Sequence, residues 1–207
     1  MKTIIFMTAA MATLLLVSLF SALKVAAQTP ENTPESEVVK EKIVQIDACT
    51  YRLTLATSAS KKSVWKLWED VENWKDYDTI LEYSYLLDNA KFEVGALGYV
   101  KADGAPKTKF EIIAVDRGNS FVESLKLPLW STLELKRYVS KNEDDETIFT
   151  HEVEFKGIMK RAYYLLLAKT FKKELYMVMG RLRALAESKE KEAIEGASGN
   201  IDEFTGS

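Results

Sequence analysis

From residue 82 to residue 155 the chain offers six strand signals in quick succession, and that crowding is the strongest constraint on its fold. The signals are Glu82–Leu87, Ala96–Ala102, Lys107–Val115, Ser120–Leu127, Trp130–Ser140 and Glu146–Phe155. The connections are turn-like: Asp88-Asn89, Asp103-Gly104-Ala105-Pro106, Asp116-Arg117-Gly118-Asn119 and Lys141 to Asp145. Connections this short force neighbouring strands to run antiparallel. From Ile158 to Glu187 the apolar period changes to a helical one, with Tyr164, Leu167, Phe171, Leu175, Val178, Leu182 and Leu185 on one face. About thirty helical residues span about 45 Å, enough to cross a whole sheet. Upstream, Val44 to Thr57 alternates as a long first strand, with Cys49, Tyr51, Leu53 and Leu55 on one side. Val64, Leu67, Trp68 and Val71 then recur at i, i+3, i+4 and i+7 after the N-cap candidates Ser58 and Ser60, and Trp74, Tyr77, Ile80 and Leu81 follow. The expected architecture is α+β: a seven-stranded curved antiparallel sheet around a long C-terminal helix, with two short helices after strand 1. An antiparallel sheet with one apolar face must cover it, and the last helix is the element long enough. The space left between helix, sheet and short helices is expected to form a cavity.

The two ends read differently. Lys2 precedes an apolar run from Ile4 to Leu23, and Val25 and Ala27 are placed like the small residues before a signal-peptidase cut. Residues 1–27 therefore read as a signal peptide, with export to a periplasmic or extracellular compartment. The alternative is an uncleaved anchor over residues 4–23, since the run is long enough to span a bilayer. Residues 28–42 are Pro- and Glu-rich and read as a flexible linker. Residues 43–187 form the folded ligand-binding domain, and residues 188–207 read as a disordered tail.

A net charge of -3 shows no basic excess inviting nucleic acid. Zinc-knuckle, RNA-binding aromatic and helix-turn-helix patterns are absent, so no nucleic-acid partner is expected. Cys49 is the only cysteine, so no intramolecular disulfide forms. One His and one Cys make no zinc set, the carboxylates lack calcium-loop spacing, and the glycines form no phosphate-binding loop. Neither metal nor cofactor is expected.

The run from Ala59 to Tyr77, with Trp65, Trp68 and Trp74, resembles the opening helices of the START-like superfamily (also called SRPBCC proteins), within it the polyketide cyclase/dehydrase and lipid-transport group. Phe92-Glu93-Val94-Gly95-Ala96-Leu97-Gly98 is similar to that group's turn motif. The resemblance covers nearly all of residues 44–187 and implies a helix-grip fold. Lys75 stands where members often carry Pro, the glycine-rich loop of the birch-allergen group is absent, and no Cys/His pairs for an iron–sulfur cluster exist. The implied role is holding a hydrophobic small molecule such as a lipid, sterol or polyketide. Fold likeness alone says little about function.

Alternation places His151, the only histidine, inward with Phe149, Val153 and Phe155. An inward His is a candidate general base or a hydrogen-bonding partner for a ligand carbonyl; the competing reading is a core His satisfied by a neighbour. Glu123 alternates with Phe121, Leu125 and Leu127, again inward, and is a candidate acid beside His151. A buried carboxylate is costly unless paired or protonated, so a bulge or rim position is the competing reading. Cys49 shares the inward face of the first strand, which makes a Cys–His dyad conceivable, against an ordinary buried thiol. Tyr51, Tyr83, Tyr85, Tyr99, Phe110, Leu125, Leu133, Val153, Tyr164 and Phe171 form the expected lining. Lys160, Arg161, Lys169, Lys172, Lys173, Arg181 and Arg183 decorate the helix, and transient contact with anionic headgroups is one use for them. The first expectation is an exported carrier of a hydrophobic small molecule. The second is a cyclase/dehydratase-type enzyme with His151 as general base.

Overall fold

The computed structural model describes residues 42–199, with side chains to residue 195. The signal-peptide or anchor reading, the linker up to residue 41 and residues 200–207 lie outside the described residues.

Eight strands form one antiparallel sheet: β1 Val44–Asp47, β2 Thr50–Thr57, β3 Leu81–Leu86, β4 Leu97–Ala102, β5 Thr108–Asp116, β6 Ser120–Leu127, β7 Ser131–Lys141 and β8 Thr147–Gly157. Their order across the sheet is β1-β2-β8-β7-β6-β5-β4-β3. Between β2 and β3 lie helix α1, Lys61–Glu69, and a 3-10 turn, Val71–Asp76. Helix α2, Lys160–Gly199, ends the described chain. The α+β order is the expected one and is consistent with a helix grip, with one strand more than expected.

The extra strand arises because Val44–Thr57 is broken into a hairpin. Asp47 breaks it: its Oδ1 accepts from the Cys49 backbone N–H (2.7 Å) and its Oδ2 from the Thr50 hydroxyl (3.0 Å). An Asp side chain that closes on backbone two residues on makes a turn as well as a glycine does. The buried alternation of Cys49, Tyr51, Leu53 and Leu55 survives, running from the turn into β2.

Helix α1 starts at Ser60, whose Oγ accepts from the Ser63 N–H (3.3 Å). It buries Val64, Trp65, Leu67 and Trp68. The 3-10 turn buries Val71 and Trp74, and the Trp74 indole donates to the Trp68 carbonyl (2.9 Å). Helix α2 buries Leu167, Ala168, Leu175, Met179, Leu182 and Ala186.

The helix also runs on past residue 187, where a disordered tail was expected. Polar contacts rather than apolar period hold this part. Glu187 accepts from the Thr57 hydroxyl (2.9 Å) and the Ser58 N–H (3.0 Å). Glu190 accepts from the Ser60 hydroxyl (2.8 Å) and from the Ser63 hydroxyl, so the end of α2 is pinned to the start of α1. Those hydrogen bonds hold the Glu190 carboxyl below its usual range.

Candidate functional site

Three rows of cross-strand partners line up beneath the helices. One row runs Leu53, His151, Arg137, Phe121 across β2, β8, β7 and β6. The next runs Tyr51, Val153, Leu135, Glu123, Ile112 and reaches β5. The third runs Phe155, Leu133, Leu125, Phe110. Period-two alternation puts each row's side chains on one face. His151 and Glu123 therefore both point inward as expected, and both are buried.

The residue that joins them is Arg137, which the sequence reading did not single out. Its Nη2 lies 2.8 Å from Glu123 Oε1, and both side chains are buried. Its guanidinium carbon lies 5.1 Å from the Trp74 ring and 5.0 Å from the Phe121 ring, so the charge rests against two aromatic faces. The signal was present in the alternation Leu133, Leu135, Arg137, Val139, where one cation interrupts the apolar side of a strand. Tyr77 and Asp78, just after the 3-10 turn, complete the group. Their charge interactions with Arg137 and Glu123 bring them to the same place.

Burial governs the proton affinities. It pushes the Glu123 carboxyl up, with Arg137 pulling it back. It drives the His151 imidazole well below its ordinary value, and the Arg137 charge lowers it further, so His151 is neutral. It pushes the Tyr77 hydroxyl up, opposed by Arg137. It pushes Asp78 up to about 6, again against Arg137. A base beside a fixed cation resists taking a proton, so this His is better suited to hydrogen bonding than to proton abstraction.

Several polar atoms here are occluded and have no hydrogen-bond partner among the described residues: Tyr77 Oη, Asp78 Oδ1, Glu123 Oε2, Arg137 Nε and Nη1, and His151 Nε2. Aromatic side chains surround them. The His151 ring lies 5.7 Å from the Trp68 ring, and Phe121 contacts Trp65, Trp68, Trp74 and Phe92. The group thus presents donors on Arg137 and Tyr77 beside acceptors on Glu123 within an apolar wall.

Most of the expected lining residues sit below this group. Tyr51, Phe110, Leu133 and Val153 are buried, and Leu125, Tyr164 and Phe171 pack against them. The Tyr51 and Tyr164 rings meet at 6.3 Å, and Phe155 stacks on Phe171 at 6.3 Å. The Tyr51 hydroxyl is also buried without a partner among the described residues.

Tyr83, Tyr85 and Tyr99 depart from the expectation. Tyr83 is exposed, and the inward residues of these strands are Ser84, which donates to the Val71 carbonyl, and Gly98, which lies against the Phe110 ring. Alternation from Ser84 on β3 and from Gly98, the partner of Phe110, on β4 puts the tyrosines on the opposite face. There Lys107 Nζ donates to the Tyr85 hydroxyl (2.6 Å) and lies 3.9 Å from the Tyr99 ring centre. Cys49 is also away from His151. Its carbonyl accepts from the Phe155 N–H (3.1 Å), four residues further along β8, so no Cys–His dyad forms. Among the described residues no group of three His, Cys, Asp or Glu side chains is placed to hold a metal ion.

No family model matches the chain, and no curated protein matches it by sequence. Solved structures do match. A protein from Arthrobacter aurescens aligns with a TM-score of 0.54 at 13% identity, covering 71% of this chain and 91% of that one. One from Mycobacterium smegmatis aligns at 0.53 and 14%, covering 72% and 98%. One from Mesorhizobium loti aligns at 0.52 and 15%, covering 67% and 97%. At these identities the likeness is one of fold alone.

Proposed function

We propose that this domain binds a small molecule with an apolar body and one uncharged polar head, the head meeting Arg137, Glu123, His151 and Tyr77. One observation carries the reading: these side chains are buried together, and each keeps a polar atom that no described residue satisfies. Buried polar atoms are almost always hydrogen-bonded, because an unmet one costs about 1–3 kcal/mol. A hydroxyl or carbonyl on a ligand meets that need. The cation here already has its counter-charge, which favours an uncharged head over a carboxylate.

The apolar body would lie along Tyr51, Val153, Leu133 and Phe155, under Tyr164 and Phe171 of α2. Burial at about 25 cal/mol per Å² would supply most of the affinity. A lipid, sterol or polyketide-like molecule has this shape. The resemblance to the START-like superfamily and its polyketide cyclase/dehydrase and lipid-transport group supports the same class, as does the helix-grip arrangement. Carriage of the ligand in an exported protein is the role that fits the N-terminal sequence. The enzyme reading, with His151 as general base and Glu123 as acid, is weaker, since Arg137 opposes protonation of His151 and occupies Glu123.

Native mass spectrometry of the full chain purified from its own host, followed by solvent extraction, tests the proposal. The expected result is a stoichiometric small molecule carrying a hydroxyl or carbonyl, lost or much reduced in a folded Tyr77→Phe, His151→Phe double variant. An undiminished ligand in that variant, or none in the parent, would overturn it.

A further inference from the structure

The β6–β7 turn and the start of α2 form one surface. The Tyr163 hydroxyl donates to the Pro128 carbonyl (3.2 Å), and the Met159 N–H donates to the Ser131 hydroxyl (3.1 Å). Gly157 lies so close that a Cβ there would fall 2.1 Å from the Trp130 carbonyl oxygen. At this end of the molecule large apolar side chains are exposed: Trp130 84%, Ile158 76% and Leu129 48% beside the turn, and Leu165 82% on the flank of α2 away from Tyr163. The other three tryptophans are buried. Leu129 and Trp130 both adopt positive φ, 55° and 50°, a region that bulky side chains avoid. Strain held at an exposed Leu-Trp tip is a feature that packing does not explain.

The stretch of chain that leads into α2 and forms its first turns carries charge of one sign. Residues 156–173 contain Lys156, Lys160, Arg161, Lys169, Lys172 and Lys173 and no Asp or Glu, in a chain whose net charge is -3. Lys156 is taken by Glu134 (2.7 Å), and Lys172 donates to Gln45 (2.9 Å) and Tyr164 (3.0 Å). Lys160, Arg161 and Lys169 are exposed. Arg161, Leu165 and Lys169 recur four residues apart, so they share one helix face. Asp47 is the acidic group whose charge feels Lys160, and its carboxylate is spent on the Cys49 N–H and the Thr50 hydroxyl.

We propose that this end of the molecule, the Leu129–Trp130 turn with the exposed face of α2 around Leu165, docks on an anionic lipid bilayer. Trp and Leu enter the headgroup boundary while Lys160, Arg161 and Lys169 reach anionic headgroups. Apolar insertion and basic attraction together give a stable contact where either alone is marginal. A second copy of the chain fits poorly, because the patch would present like charges to itself. The proposal does not depend on what the core binds.

Because Trp130 is the one exposed tryptophan of the four, its emission reports the contact. The full chain is mixed with vesicles of phosphatidylcholine alone or with phosphatidylglycerol added. The expected result is a blue shift with the anionic vesicles, quenching by brominated acyl chains, and loss of both in Trp130→Phe. In a Lys160→Glu, Arg161→Glu variant, vesicle binding weakens more than tenfold. Four outcomes overturn the proposal. One is vesicle-bound protein with unshifted Trp130 emission, which assigns binding to the apolar segment over residues 4–23. Another is an equal shift with uncharged vesicles. The third is a shift that grows with protein concentration without vesicles, which assigns the patch to a second copy. The fourth is no vesicle binding.

Discussion

Arg137 Nη2 meets Glu123 Oε1 at 2.8 Å across two neighbouring strands, and both side chains are sealed from water. The pair sits between the sheet and the short helices, against Trp74 and Phe121. Removing either partner leaves the other charge buried alone, which is costlier than removing both. Glu123→Leu or Arg137→Met should each cost about 3–5 kcal/mol, while the double replacement should recover most of that loss. Urea unfolding midpoints of the four proteins check it, and additive losses would refute it.

Acid should act on stability through His151. Its folded proton affinity is depressed, so below about 6.5 the unfolded chain takes up a proton that the folded one refuses. Its contribution is present above that pH and is lost as pH falls toward the depressed folded value. Thermal melts of the parent and of His151→Phe should converge or cross as pH is lowered below about 6.5.

Asp78 works in the opposite sense. Its folded value is raised from 3.8 to about 6, so the folded state holds the proton more tightly. Stability then declines as pH rises from about 4 to about 6. Asp78→Asn should flatten that decline and raise stability at pH 7. A steeper decline in the variant would contradict the assignment.

Two glycines should tolerate no methyl group. At Gly157, φ is +92° and a Cβ would meet backbone, the Trp130 carbonyl oxygen at 2.1 Å. At Gly98 it would meet the Phe110 ring at 2.3 Å and the Tyr85 carbonyl at 2.7 Å. Each Ala substitution should destabilise by about 1–3 kcal/mol or more. Gly157→Ala should be the worse, because rigid backbone cannot give way as a ring edge can. Differential calorimetry ranks them.

Ending the chain after Ala186 should loosen α1, since it removes both carboxylates that hold Thr57, Ser58, Ser60 and Ser63. These groups are partly solvated, so the loss should be about 1 kcal/mol, or about 2–4 °C in Tm. A truncation with unchanged Tm would mean that the apolar part of α2 suffices.

The six strands from β3 to β8 were legible because each short apolar run is closed by Asp, Asn, Gly or Pro. The β1–β2 break was not, because Asp47 is a lone turn residue there and the alternation reads straight through it. The tyrosines of β3 and β4 were expected inward for their aromatic bulk, but on these two strands the inward places belong to the small residues Ser84 and Gly98, which leave room for the Val71 carbonyl and the Phe110 ring. His151 and Glu123 were visible as polar residues on apolar faces. Arg137 was written in the same way on the strand between them, one cation on an apolar face, and its charge adds to burial in shifting His151 and offsets burial at Glu123. The reach of α2 past residue 187 left no apolar period, and the contacts described there are carboxylate ones, made by Glu187 and Glu190.

Helix α2 begins at the Trp130 turn and, about 45 Å on at 1.5 Å per residue, fastens α1 by Glu190. Such a rod is a lever. A tilt of about 4° at its first turn carries the Glu190 end through about 3 Å, the whole length of a hydrogen bond. The two ends of the domain therefore cannot move independently: whatever leans on the first turn of α2 pulls on the clasp over Ser60 and Ser63, and so on the helix that carries Trp68 to His151.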